Sequence, residues 1–135
     1  MKSLDRSYLI WGLCYAVAGM GLGIYMGESG NHGQFATHAH IMLVGFVTSL
    51  IYAVIYRLWL PAPPRVLATI QFILHQLGSL VMFVSLLLLY NRTASEEQIG
   101  PVIGPATLAI VLGVLMMLVM VLRTGKAPAR GAEAS

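Results

Sequence analysis

The sequence predicts an all-α integral membrane protein, a four-helix bundle with both termini in the cytoplasm. Of its 135 residues, 58% are hydrophobic and only 10% are charged, a composition typical of membrane proteins. A helix needs about 20 apolar residues to cross a bilayer core of roughly 30 Å, and the predicted spans cover residues 8–26, 35–60, 66–90 and 102–122. Because only short connections remain between them, residues 1–122 are predicted to form one bundle domain.

The basic residues predict the orientation of this bundle, because positive charge is enriched on the cytoplasmic side of membrane proteins. An even number of spans places both termini on one side, and that side carries Lys2, Arg6, Arg57, Arg65, Arg123, Lys126 and Arg130. The opposite side carries Arg92 beside Glu28, Glu96 and Glu97. We expect a multi-pass protein of the bacterial inner membrane whose net charge of +3 reflects topology and attraction to anionic lipid, with no nucleic-acid binding.

The connecting segments support the same arrangement. Small residues recur in the first span, as Gly12, Gly19, Gly21, Gly23 and Gly27, and predict close helix packing. The stretch LPAPPR, residues 60–65, is a proline-stiffened turn that makes the second and third spans antiparallel neighbours. The segment NRTASEEQIGP, residues 91–101, is predicted to be a polar loop, and the tail at 123–135 is predicted to be disordered because it lacks apolar periodicity.

Three histidines are the candidate functional residues. His38 and His40 stand at the head of the second span, and His75 lies within the third. Ionisable side chains inside a membrane span are costly and usually functional. Since the predicted spans contain no acidic residue, the metals that suit these imidazoles are heme iron and copper. The alternative is that they form hydrogen bonds between helices, or that His38 and His40 lie shallow enough in the membrane to contact water. For His75, a hydrogen-bonded core histidine is preferred.

The spacing of His38 and His40 limits what they can bind. Residues two apart on an α-helix project about 200° apart. The pair therefore cannot chelate one ion together, and each histidine can instead reach a different neighbour or cofactor.

The motif THAHIMLVGF, residues 37–46, resembles the second helix of heme-copper oxygen reductase subunit I, where a histidine in a similar HAxIM context ligates the low-spin heme. It also resembles that subunit's tenth helix, whose HxH pair serves two hemes, and IYAVIYRLWLP, residues 51–61, resembles the tenth helix of some oxidases and nitric oxide reductases. The resemblance implies heme b with His38 and His40 as ligands. Met42 of the same motif and Tyr52, a hydroxyl able to hydrogen-bond a cofactor, are further candidate cofactor-binding residues.

The resemblance also has limits that affect the expected chemistry. Subunit I has twelve helices, and its three-histidine copper site has no counterpart within this single chain. Dioxygen reduction is therefore not implied, and whether oxidoreductase turnover accompanies a bound heme is left open.

A six-coordinate heme needs two ligands at similar depth in the membrane, and His75 does not meet this requirement. Measured from the proline loop, His40 lies about 30 Å up its helix and His75 about 16 Å. Parallel copies of the second helix would place their histidines at equal depths. We therefore expect a homo-oligomer, a trimer or a dimer, in which His38 of one protomer and His40 of the next hold heme between them.

These observations predict a membrane b-type heme protein that transfers electrons or senses redox state or a diatomic ligand, with respiratory-chain redox proteins or quinol as partners. Two alternatives remain open. One is a copper-binding or heme-handling accessory protein of a terminal oxidase, which the histidines and methionines fit equally well. The other is a non-catalytic structural membrane subunit whose histidines bond neighbouring helices.

Overall fold

The computed structural model describes residues 3–124 as four long helices joined by short connections. The helices are α1, Leu4–Ser29; α2, Phe35–Leu58; α3, Arg65–Tyr90; and α4, Glu96–Thr124. Each is long and apolar enough to cross a membrane, and the described residues contain no strand. The predicted all-helical fold is thus confirmed, with four helices that could span a membrane, whereas residues 125–135 of the predicted tail lie outside the described residues.

The two ends of the bundle are named here after the segments that lie at each end. The proline-loop end contains the start of α1 and the 59–64 connection, and the histidine end contains the 30–34 and 91–95 connections. Gly30 ends α1 with φ 69, a left-handed conformation that glycine adopts without steric cost. At this C-cap the Gly30 N–H donates to the Met26 carbonyl at 3.1 Å.

The helix α4 begins at Glu96, earlier than the span predicted from residue 102. Ser95 and Gln98 explain the difference, since the Ser95 N–H donates to Gln98 Oε1 at 3.0 Å and the Gln98 N–H donates to Ser95 Oγ at 3.3 Å. This reciprocal pair is a capping box, which satisfies N–H groups left free at a helix start. Pro101 and Pro105 then fall inside the helix, so only residues 91–95 of the predicted polar loop remain a loop.

The helix α2 changes its winding directly after His40. It is α-helical over Phe35–His40, π-helical over Ile41–Val47 and α-helical again over Thr48–Leu58. Within the last part, Thr48 Oγ1 donates to the Leu43 carbonyl at 2.8 Å. π-Helical turns are rare in proteins, and many of those known lie at functional sites. The change of winding next to His40 is therefore typical of a functional site.

Two apolar clusters hold the four helices together. The cluster at the proline-loop end consists of Tyr8, Tyr52, Ala53, Tyr56, Leu60, Ala68, Met117 and Met120. The cluster towards the histidine end consists of Tyr15, Ile41, Met82, Phe83, Leu86 and Ala106. Large apolar side chains on the outer surface, such as Val17 and Leu108, suit contact with lipid tails.

Glycines allow the helices to approach closely at several crossings. A Cβ on Gly12 of α1 would lie 3.2 Å from the Cβ of Ser49 on α2, and one on Gly45 would lie 2.8 Å from the Tyr15 ring. At the crossing of α3 and α4, a Cβ on Gly78 would lie 2.8 Å from the carbonyl oxygen of Ala106. Small residues thus let these backbones meet, as in other membrane helix pairs.

The substitution Gly78→Ala is expected to destabilise the protein by about 1–3 kcal/mol, because its methyl group meets backbone that cannot rotate away. Thermal unfolding in detergent measures the loss. Gly104→Ala is the control, since a Cβ there would meet no atom within 4 Å. Equal unfolding temperatures for the two variants would contradict the close crossing of α3 and α4.

Candidate functional site

His38 lies half-buried between α2 and α1. Its Nδ1 lies 2.8 Å from the carbonyl oxygen of Gly19. Its ring covers Gly23, where a Cβ would come within 3.1 Å of His38 Cε1. Because a carbonyl can only accept, the Nδ1 atom carries the hydrogen in this contact, and Nε2 of the neutral ring keeps its lone pair.

His40 lies on the outside of the bundle and is exposed. Its Nδ1 lies 2.7 Å from the carbonyl oxygen of Ala36, one turn back on the same helix. The same reasoning places the hydrogen on Nδ1 and leaves Nε2 as the free nitrogen. His40 therefore presents the unpaired Nε2 atom of its imidazole at the outer surface of the bundle.

The two histidines have the form in which imidazole binds metal. Metal-ligating histidines typically donate their other ring N–H to a carbonyl or carboxylate, which fixes the tautomer and the ring orientation. Both rings meet this requirement through Nδ1. However, one ring packs on α1 and the other is exposed, so a single chain does not bring both to one iron.

Met42 and Tyr52, the two further candidate cofactor-binding residues, lie next to different histidines. Met42 is half-buried, and its Sδ lies 2.5 Å from the position of a Cβ on Gly19, beside the hydrogen bond of His38. Tyr52 is buried, and its ring meets those of Tyr8 and His75 with centroid distances of 5.2 and 5.0 Å. The structure thus places Met42 near His38 and places Tyr52 with His75.

His75 is fully buried in the interior of the bundle. Its Nε2 lies 3.4 Å from Ser49 Oγ on α2, and its ring contacts Tyr8 as well as Tyr52. Ser49 is further along α2 than His40 by roughly 13 Å at the helical rise. The structure therefore separates His75 in depth from His40, and the described residues contain no group of three or more His, Cys, Asp or Glu side chains able to hold a metal ion.

A buried polar cluster surrounds His75, and sequence reasoning did not select most of it. Tyr8 and Tyr56 both donate to Gln71 Oε1, at 2.6 and 3.0 Å, and Gln76 Nε2 donates to Ser49 Oγ at 3.3 Å. The available signal was the spacing on α3, where polar residues at 71, 75 and 79 recur every four residues. That spacing places them on one face of the helix.

The buried polar cluster retains hydrogen-bonding capacity that no described residue uses. The buried atoms without a partner are Tyr52 OH, Gln71 Nε2, His75 Nδ1, Gln76 Oε1 and Ser79 Oγ. Buried polar groups are normally hydrogen-bonded, and an unpaired one is costly. The middle of the bundle is therefore polar, in contrast to the apolar cluster next to it at the histidine end.

Comparisons with known proteins identify no relative of this chain. No protein-family model matches it, and neither a curated protein nor a solved structure does.

The substitution Tyr8→Phe is expected to lower the free energy of unfolding by about 1 kcal/mol, because it removes a buried hydrogen bond while Tyr56 still donates to Gln71. Thermal or chemical unfolding in detergent measures the difference. Tyr25→Phe is the control on the same helix, since Tyr25 is exposed. If both variants unfold like the parent protein, the buried hydrogen bond contributes nothing to stability.

Proposed function

We propose that the protein is a membrane b-type heme protein that transfers electrons, with His38 and His40 as the iron ligands. The observation that carries this proposal is the state of His40: an exposed imidazole on an apolar membrane helix, anchored through Nδ1. A polar side chain facing hydrocarbon is costly unless it has a partner. Iron is a partner that uses the free Nε2.

The second ligand to the heme would come from another copy of the chain. Copies related by an axis along the membrane normal keep their α2 helices parallel and their histidines at one depth. His40 is available on the outer surface, while Nε2 of His38 takes part in no hydrogen bond among the described residues. The proposed pair is His38 of one protomer and His40 of the next, in a dimer or trimer.

The groups around the two histidines orient the rings and exclude water in this proposal. The carbonyls of Gly19 and Ala36 orient the two rings and raise the basicity of Nε2. The apolar side chains of α1 and α2 exclude water, which influences the redox potential of a bound metal. Heme b supplies reversible one-electron chemistry at its iron. With both His38 and His40 as ligands, the bound heme would serve electron transfer rather than gas sensing.

Heme is preferred to copper because of the number of ligands. Heme in an electron-transfer site would be held by two protein ligands, which His38 of one protomer and His40 of the next would supply. A copper site typically gathers three or more protein ligands, whereas His38 and His40 face different surroundings. Under this proposal the proline-loop end faces the cytoplasm of a bacterial inner membrane, and the electron partners are respiratory-chain redox proteins or quinol.

The test is an optical spectrum of detergent-purified protein, oxidised and then reduced with dithionite, with heme quantified per chain. We expect sharp Soret and α bands that are lost in His38→Ala and in His40→Ala. His32→Ala is the control, because His32 is exposed in the loop before α2, and it should retain the full spectrum.

Three outcomes would contradict the proposal. A featureless spectrum from protein expressed with ample heme would show that the protein does not bind heme. Bound copper without porphyrin would favour the accessory-protein alternative. Carbon monoxide binding to the reduced protein would show an open coordination position and favour gas sensing.

A further inference from the structure

A groove runs along the outer surface between α1 and α2 at the proline-loop end. Its volume is about 400 Å³. The side chains that line it are Asp5, Arg6, Leu9, Leu50, Ala53, Val54, Arg57 and Leu58. The groove opens on the outer surface of the bundle, at the end of α2 opposite to His40.

The walls of the groove are apolar and open to the surroundings. Leu9 is 40% exposed, Leu50 36% and Val54 44%, while Ala53 is buried. In a membrane, exposed apolar side chains of this kind contact lipid acyl chains. The walls thus match the tail of a lipid.

The groove ends in two arginines and one carboxylate. Arg57 lies 3.4 Å from Asp5, an ion pair in which the Arg57 side chain remains 77% exposed. Among the described residues no other ion pair is present, so Arg6 has no carboxylate at ion-pair distance. Two guanidinium groups against one carboxylate leave a positive charge, and guanidinium groups bind phosphate well.

The surrounding surface strengthens this positive charge. Arg65 and Arg123 lie at the same end of the bundle, whereas Glu28, Glu96 and Glu97 all lie at the histidine end. A basic pocket between membrane helices on the cytoplasmic side is the kind of site that binds anionic phospholipid headgroups. The groove is therefore apolar along its walls and cationic at its end. An anionic phospholipid has the matching arrangement, with an apolar acyl chain and a negatively charged headgroup.

We propose that this groove binds one anionic glycerophospholipid, with its phosphate at Arg6 and Arg57 and an acyl chain along Leu9, Leu50 and Val54. The site is separate from the histidines, so it does not depend on heme binding. A second copy of the chain is a poorer occupant, because covering the groove would bury the exposed Arg57 guanidinium away from water.

The test is native mass spectrometry of the protein released from bilayers of mixed phosphatidylglycerol and phosphatidylcholine. We expect phosphatidylglycerol to be retained in preference, and we expect Arg6→Gln combined with Arg57→Gln to lower its retention at least tenfold. The matched control is Arg65→Gln combined with Arg123→Gln, which removes the same charge from the same end without touching the groove and should retain the lipid.

A second variant separates lipid loss from damage to the fold. Val54→Trp fills the groove from an exposed position and leaves every charge in place, so it should also lower phosphatidylglycerol retention. Equal retention of both lipids, or equal loss in the control variant, would overturn the proposal. A change in oligomer mass in Val54→Trp with unchanged lipid retention would assign the groove to a second copy instead.

Discussion

The cost of placing imidazole in a hydrocarbon environment is the constraint on which the rest of the structure depends. Without water, every ring nitrogen needs a partner from the protein or from a bound group. His38 finds the carbonyl of Gly19, and His75 finds Ser49 within a polar interior. His40 bonds its own helix through one nitrogen and leaves the other at the surface. That exposed nitrogen is the main reason to expect a cofactor between copies of the chain.

The packing of α1 against α2 follows from the same constraint. The His38 ring packs closely on α1 where that helix has glycine, since a Cβ on Gly19 would lie 2.5 Å from Met42 Sδ and one on Gly23 would lie 3.1 Å from His38 Cε1. The π-helical segment Ile41–Val47 starts immediately after the histidines. The two-residue spacing of His38 and His40 on the preceding α-helical turn places one ring against α1 and the other on the outer surface.

Much of this architecture can be predicted from the sequence, because hydropathy and length determine where a chain can cross a bilayer. The spans containing the histidines match α2 and α3 closely, and the depth difference between His40 and His75 follows from the helical rise alone. The early start of α4 was missed, because the Ser95 and Gln98 capping box lies in a segment whose polarity suggested a loop. The π segment has the composition of ordinary α-helix, so no pattern indicates it. The hydrogen-bond partners in the polar interior depend on how three helices dock, which one sequence does not specify.

We propose that heme is held between protomers by His38 of one chain and His40 of another. The most direct test is to coexpress His38→Ala and His40→Ala chains with different affinity tags and to isolate complexes that carry both. Each variant alone should lack heme. In mixed complexes, interfaces that pair an intact His38 with an intact His40 should recover a fraction of the heme bound by the parent protein. Mixed complexes that assemble but remain colourless would contradict a site shared between protomers.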